Sequence, residues 1–318
     1  MYKRHNNKIL KDNFAIFFAT VFFIGGPIYV ANWQIQSSKQ TSSPIQMVNN
    51  IQLHDGDHAL KILAYHGFDM TSIRNNRADV PEVYFANLPR ELTKIKNVKL
   101  KKNLFFSTLL PPILKVNETI RQDRTRLKRI IFHITLGDDI SERDYYWLFK
   151  KFVQYKVKVR DIQDFIDRTG DILETLLNRI NIIPPELALA QAAQESGWGT
   201  SRFAQTGNAL YGEWTWGNGC GMVPQRREEG KTHRMKCFEY VIEAIDSYML
   251  NLNTHRAYKA LRYERRSFRD DQVIDVIPLV ETLINYSEEG QDYVEKIKNI
   301  IRINKLKDFS QSQLKTSG

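Results

Sequence analysis

The segment that most constrains this chain is Pro184-Pro185-Glu186 followed by Leu187-Ala188-Leu189-Ala190-Gln191-Ala192-Ala193-Gln194-Glu195-Ser196-Gly197. Pro185 suits the first turn of a helix, where its missing N–H is not needed, and Glu186 complements the positive end of the helix dipole. Gly197 supplies a left-handed stop. A helix so poor in charge has no face to give to water, so other elements must surround it and the rest of the chain folds around it. One carboxylate, Glu195, stands at its far end. Burial and the negative end of the dipole both disfavour ionisation there, so the pKa is expected to rise. A carboxylic acid still protonated near neutral pH is what general-acid attack on a glycosidic oxygen requires. The plainer alternative makes Glu195 a helix-end residue paired with Arg202.

The next stretch favours the first reading. Trp198, Tyr211, Trp214 and Trp216 follow closely, among glycines at 199, 207, 212, 217, 219 and 221. A packed core would carry more aliphatic residues and fewer glycines. Aromatic rings on glycine-bent backbone suit platforms on which the C–H faces of sugars stack. Gly217-Asn218-Gly219-Cys220-Gly221 lacks the preceding buried strand and following helix of a phosphate loop and reads as a turn. Residues 222 to 237 read as a hairpin whose polar tip holds Arg226, Arg227, Glu228 and Glu229. The chain has two cysteines, Cys220 and Cys237. Their spacing is not a zinc pattern. In an oxidising compartment they could bridge the hairpin arms; two free thiols remain the alternative. Helices are expected from Phe238 to Leu252 and in a closing element ending near Asn304, which follows the stretches Ile277 to Ile284 and Tyr286 to Tyr293.

Charge excludes one class of partner. The 46 Lys+Arg and 36 Asp+Glu give a net charge of +10, which invites a nucleic-acid reading. Residues 181 to 305 nevertheless hold 16 basic and 17 acidic side chains, or −1, whereas residues 1 to 180 hold 28 and 18, or +10. A nucleic-acid reader keeps its positive footprint where its specific contacts lie, and here the motif-rich part is neutral. Lys3, Arg4, Lys8 and Lys11 supply part of the excess. They precede an uncharged run from Phe14 to Ala31, which as a helix would span about 27 Å, close to a bilayer's hydrocarbon thickness. Its flanking charges orient the N-terminus toward the cytoplasm. The expectation is an inner-membrane, single-pass signal anchor with the catalytic part in the periplasm, or a cleaved leader and a periplasmic chain.

Residues 1–13 then form a cytoplasmic basic leader, 14–31 the anchor, and 32–80 a linker and weakly patterned segment, polar from Gln34 to Asn50. Within it, His54-Asp55-Gly56-Asp57-His58 reads as a polar surface turn, with metal binding the weaker alternative. Residues 81–180 form a helical region in which Pro111-Pro112 is expected to kink or split one element. Its basic run of Arg121, Arg124, Arg126, Lys128 and Arg129 is a solvated face or a contact with an anionic surface. Residues 181–305 form the catalytic domain and 306–318 a polar tail.

The segment from Ala190 to Gly199 resembles the signature of the bacterial endo-β-N-acetylglucosaminidases of glycoside hydrolase family 73. Gly207-Asn208-Ala209-Leu210-Tyr211-Gly212 is similar to that family's Gly-Asn-Leu-Phe-Gly element, with one extra residue. Asn285-Tyr286-Ser287 to Tyr293 resembles its Tyr-Ala-Thr-Asp-Pro-x-Tyr element without the Thr and Pro. Agreement is closest with the Bax-type branch, covers roughly residues 80 to 305, and is most specific from 184 to 258. The resemblance implies an α+β, predominantly α, lysozyme-like fold with a small β-hairpin lobe. It implies cleavage between N-acetylglucosamine and N-acetylmuramic acid in peptidoglycan glycan strands, with no metal or organic cofactor. Glu195 matches the catalytic acid and Tyr286 the active-site tyrosine. The second carboxylate sits in the family's hairpin, where Glu229 and Glu228 are candidates and Arg226 competes for the aligned position. Asn208 and Tyr258 fall in matching stretches and join Trp198, Tyr211, Trp214 and Trp216 as candidate substrate contacts. A lytic transglycosylase and a non-catalytic wall-binding module on the same fold are the rival readings.

Overall fold

A computed structural model describes residues 48–90, 92–217, 219–224, 230, 232–268 and 273–315. The basic leader, the uncharged run at 14–31 and the tip acids Glu228 and Glu229 lie outside the described residues. Among the described residues, no helix is long and apolar enough to cross a membrane.

Contacts divide the chain into two units, one made of residues 48–119 with 182–315 and the other of residues 120–181. This differs from the expected division into a segment to 80, a helical region at 81–180 and a separate catalytic domain. Residues 48–119 instead share a core with the C-terminal part. They begin with β1 (Asn50–Ile51), α1 (Gly56–Tyr65), α2 (Met70–Arg74) and β2 (Tyr84–Phe85), and β1 and β2 pair in parallel. The two helices were not legible in the polar sequence, although each starts on an N-cap aspartate. Asp55 accepts from the backbone N–H of His58, and Asp69 from that of Thr71. Asp55 is thus a helix cap, and no cluster of metal-ligating residues occurs among the described residues.

Helix α3 (Val98–Leu136) runs through Pro111 and Pro112 as one element of 39 residues, so the prolines do not split it. Leu109, Leu110, Ile113 and Leu114 around the prolines are fully or almost fully buried. Each such side chain contributes about 2 kcal/mol, and the four together offset the roughly 3 kcal/mol that each of the two helical prolines costs.

The unit of residues 120–181 contains the end of α3 and helices α4 (Glu142–Gln154), α5 (Ile162–Asp167) and α6 (Thr169–Arg179). Its core joins Leu127, Ile130, Leu148, Phe152, Phe165, Ile172 and Leu176, and the rings of Phe152 and Phe165 lie 6.0 Å apart. Part of the basic run is committed inside this unit. Arg126 reaches Asp144 at 2.8 Å and Arg124 donates to the Ile180 carbonyl at 2.9 Å.

Residues 182–315 supply α7 (Pro185–Ser196), α8 (Arg202–Gly207), strands β3 (Trp214–Thr215), β4 (Gly221–Met222) and β5 (Arg234–Lys236), then α9 (Val241–Thr254), α10 (Lys259–Arg265), α11 (Val276–Glu281) and α12 (Gln291–Ile303). Helix α7 starts with proline and ends on left-handed Gly197, as its sequence predicts, and every residue from Pro185 to Ala193 is buried. Helix α12 packs along it through a face that includes Tyr293, Val294 and Ile297. The expected hairpin is present as β4 and β5, antiparallel with Met222 opposite Met235. A third strand, β3, pairs with the other edge of β5 and sets Trp214 opposite Met235.

The stretch expected as a polar tail is also part of the core. Leu306 and Phe309 are fully buried, and Val80 exchanges backbone hydrogen bonds with Gln313 and Lys315, both 2.8 Å. Three apolar residues, Leu306, Phe309 and Leu314, in a short polar stretch are too weak a pattern to read from sequence.

Candidate active site

The C-terminal turn of α7 presents Glu195 beside the backbone of Gly212, the element that follows α8. Gly212 has φ +68°, and a Cβ built on it would stand 3.1 Å from Glu195 Oε2. Glycine is therefore required twice over, for its left-handed backbone and for the approach of the carboxylate. The hydroxyl of Tyr286 donates to the carbonyl of the preceding residue, Tyr211, at 3.0 Å. This bond fastens the turn that faces the acid. Arg202, the alternative ion-pair partner, instead donates to the Val223 carbonyl at 3.0 Å.

Burial raises the Glu195 pKa, and the charge of Glu289 raises it further. A hydrogen bond from the Tyr293 hydroxyl opposes the rise, but the net direction is upward. That hydroxyl belongs to a longer buried chain. Tyr248 Oη donates to Gln191 Oε1 at 2.7 Å, and Gln191 Nε2 donates to Tyr293 Oη at 2.8 Å. Gln191 lies one helical turn before Glu195, so the two side chains share a face of α7.

A second acidic group was missed in the sequence. Glu213 follows Gly212, with its side chain 14% exposed, and Ser247 donates to its Oε2 at 2.9 Å. Lys236 of β5 lies 3.8 Å from the same oxygen and donates to Ser247 at 2.6 Å. Burial raises the Glu213 pKa, while the Lys236 charge and the Ser247 hydrogen bond act the other way. Tyr258 senses both acids: burial, then the charges of Glu213 and Glu195, push its hydroxyl up to about 12. A lone carboxylate within the aromatic, glycine-bent run is the signal by which the sequence marks Glu213.

The aromatic residues separate into two groups. Trp214 and Trp216 are 45% and 71% exposed, leaving ring faces for a ligand. Tyr211 and Tyr258 are buried; Tyr211 stacks on Tyr248 with ring centres 3.8 Å apart, and Tyr258 lies against Tyr286. Trp198 is half-buried, with its edges against Phe105 and Phe106 and Lys102 over its ring at 4.3 Å. Asn208, expected to meet substrate, is buried and donates to the carbonyls of Ala86, Phe238 and Glu239 at 3.0, 3.3 and 3.1 Å. These last four residues build the walls and braces of the site. Cys220 and Cys237 form a disulfide with Cα atoms 5.2 Å apart, tying the loop before β4 to the end of β5.

Residues 170–306 match the family described as Glucosaminidase, mannosyl-glycoprotein endo-beta-N-acetylglucosaminidase. Protein bax of Escherichia coli (strain K12) is 29% identical over 205 residues, which cover 60% of this chain and 73% of that protein. No solved structure matches.

Proposed function

We propose that this chain, with its match to the glucosaminidase family at residues 170–306 and its similarity to protein bax, is a peptidoglycan hydrolase cleaving the β-1,4 bond between N-acetylglucosamine and N-acetylmuramic acid. The observation that carries this reading is Glu195, a carboxyl with a raised pKa at the end of a buried helix and against a glycine turn. In its protonated form it gives its proton to the glycosidic oxygen, and the bond from that oxygen to the anomeric carbon breaks. Trp214 and Trp216 offer the exposed rings on which sugars stack.

The water-activating partner is Glu228 or Glu229 if the hairpin tip reaches the cleft. With neither in reach, the substrate's own 2-acetamido oxygen is the nucleophile. Carboxylates about 5 Å apart go with retention and about 6.5–9.5 Å with inversion. Glu213 already has one oxygen bound by Ser247 beside Lys236, which suits a bracing role better than that of a free base. The proposal extends to location: the uncharged run at 14–31 anchors the chain in the inner membrane, with the catalytic part in the periplasm.

Digestion of purified sacculi followed by mass analysis of the new sugar ends tests the reaction. A reducing N-acetylglucosamine end is expected; an anhydro-muramic end would assign a lytic transglycosylase, and no new ends a wall-binding module. Glu195→Gln is expected to lower cleavage by roughly 100-fold or more. Cleavage that survives this change would remove Glu195 as the acid.

A further inference from the structure

Residues of α2, of the first turns of α3 and of the end of α12 line an open cavity of about 650 Å³. That size falls within the roughly 300–1,000 Å³ of small-ligand sites. Lys99, Lys102, Asn103 and Phe106 stand at i, i+3, i+4 and i+7 on α3, so one helix face presents two cations, an amide and a ring. Arg74 and Lys305 add two further cations, and Asp308 is the one carboxylate of the lining. Four positive groups against one negative leave the cavity at +3.

That carboxylate is already engaged. Arg74 Nη1 reaches Asp308 at 3.1 Å and donates to the carbonyls of Asn304 and Lys305 at 3.1 and 3.0 Å. Lys102 donates to Asn304 Oδ1 at 2.8 Å and stands 4.3 Å from the centre of the Trp198 ring. Both of those partners are neutral, so the Lys102 charge stays uncompensated. The side chains of Lys99 and Lys305 make no ion pair among the described residues. The half-buried side-chain amide of Asn103 likewise has no hydrogen-bond partner among them. Met70, Phe106, Val98 and Ile303 supply apolar lining.

We propose that this cavity binds a short acidic peptide: its lysines take carboxylates, the Asn103 amide pairs with a peptide group, and the apolar lining receives small side chains. The mixture of groups selects this ligand. A free phosphate uses the cations but neither the amide nor the apolar lining. A flat anionic membrane meets exposed Lys99 and Lys305 but not half-buried Lys102 and Asn103. The source of the peptide rests on the hydrolase reading, since the muramic acid of peptidoglycan carries short peptides with free carboxylates. Trp198, three residues past Glu195, packs against the lining, its ring centre 5.6 Å from that of Phe106. The loop beyond the acid therefore touches the wall of the cavity.

Calorimetric titration of the full chain in non-ionic detergent tests the proposal. The probes are an acidic tetrapeptide of alanine, glutamate, diaminopimelate and alanine, the same peptide with amidated carboxylates, inorganic phosphate, and a short-chain phosphatidylglycerol. The acidic peptide is expected to bind most tightly, and the amidated one about tenfold more weakly or less. The double change Lys99→Gln with Lys305→Gln is expected to weaken the acidic peptide about tenfold and to flatten its salt dependence. Asn103→Leu is expected to weaken it several-fold with the salt dependence retained; if that variant does not fold, the lysine variant and the amidated peptide decide. Equal affinity for the amidated peptide, tighter binding of phosphate or of phosphatidylglycerol, or a peptide affinity unchanged in the lysine variant would each overturn the proposal. Sacculi that are cut while no peptide binds would overturn this site and leave the proposed function standing. Peptide that binds while sacculi stay uncut would support the site and count against the hydrolase.

Discussion

At the scale of single residues, the site depends on close approach. Gly212 meets Glu195 Oε2 in a space that a methyl group would narrow to 3.1 Å, and its φ is +68°. Gly212→Ala is expected to destabilise the protein by about 1–2 kcal/mol through its left-handed backbone. By displacing the carboxylate it should also lower sacculus cleavage about tenfold, measured on samples matched for folded fraction. The place of Glu195 was legible in the sequence because Gly197 marks the end of a helix whose other charged residue, Glu186, lies in the first turn. Glu213 was not, since its neighbours Tyr211, Trp214 and Trp216 drew the reading toward ring platforms. Exposure of those rings was equally hidden. A pattern of aromatics does not say that Tyr211 lies on Tyr248 while Trp216 faces water.

At the scale of elements, α7 holds an acid at each end. Glu186, in its first turn, is 1% exposed and accepts from Ser310 at 3.0 Å. Burial raises its pKa to about 7, against the opposing Ser310 hydrogen bond and the charge of Lys307. An acid whose folded pKa exceeds its unfolded value favours the fold when protonated. Its contribution is complete below the unfolded pKa near 4.5 and is lost as pH rises through about 7. The loss over that window is of order 3 kcal/mol by linkage. Denaturant melts between pH 4.5 and 8 are expected to show it, and Glu186→Gln to remove most of the slope. The ends of α7 were readable from Pro185 and Gly197 because capping chemistry is local. Continuity of α3 through Pro111 and Pro112 was not, because burial by distant residues decided it.

The whole molecule divides differently from the expected boundaries, and the difference is physical. Gly199 lies so close to Leu88, Leu92 and Phe105 that a Cβ there would approach them to between 2.8 and 3.1 Å. Residues from the N-terminal side thus wall the loop just beyond the acid. A chain beginning at residue 182 is expected to lose cooperative thermal unfolding, whereas one beginning at residue 48 should retain it; calorimetry separates the two. Low sequence periodicity before residue 81 hid this dependence, since short capped helices and two-residue strands leave little pattern.

Asn208 ties the fold together across a long interval of sequence. Its one amide grips the carbonyls of Ala86 and of the adjacent Phe238 and Glu239. The backbone just after β2 and the turn between β5 and α9 therefore share a single clamp, and a change at this one side chain loosens both places together.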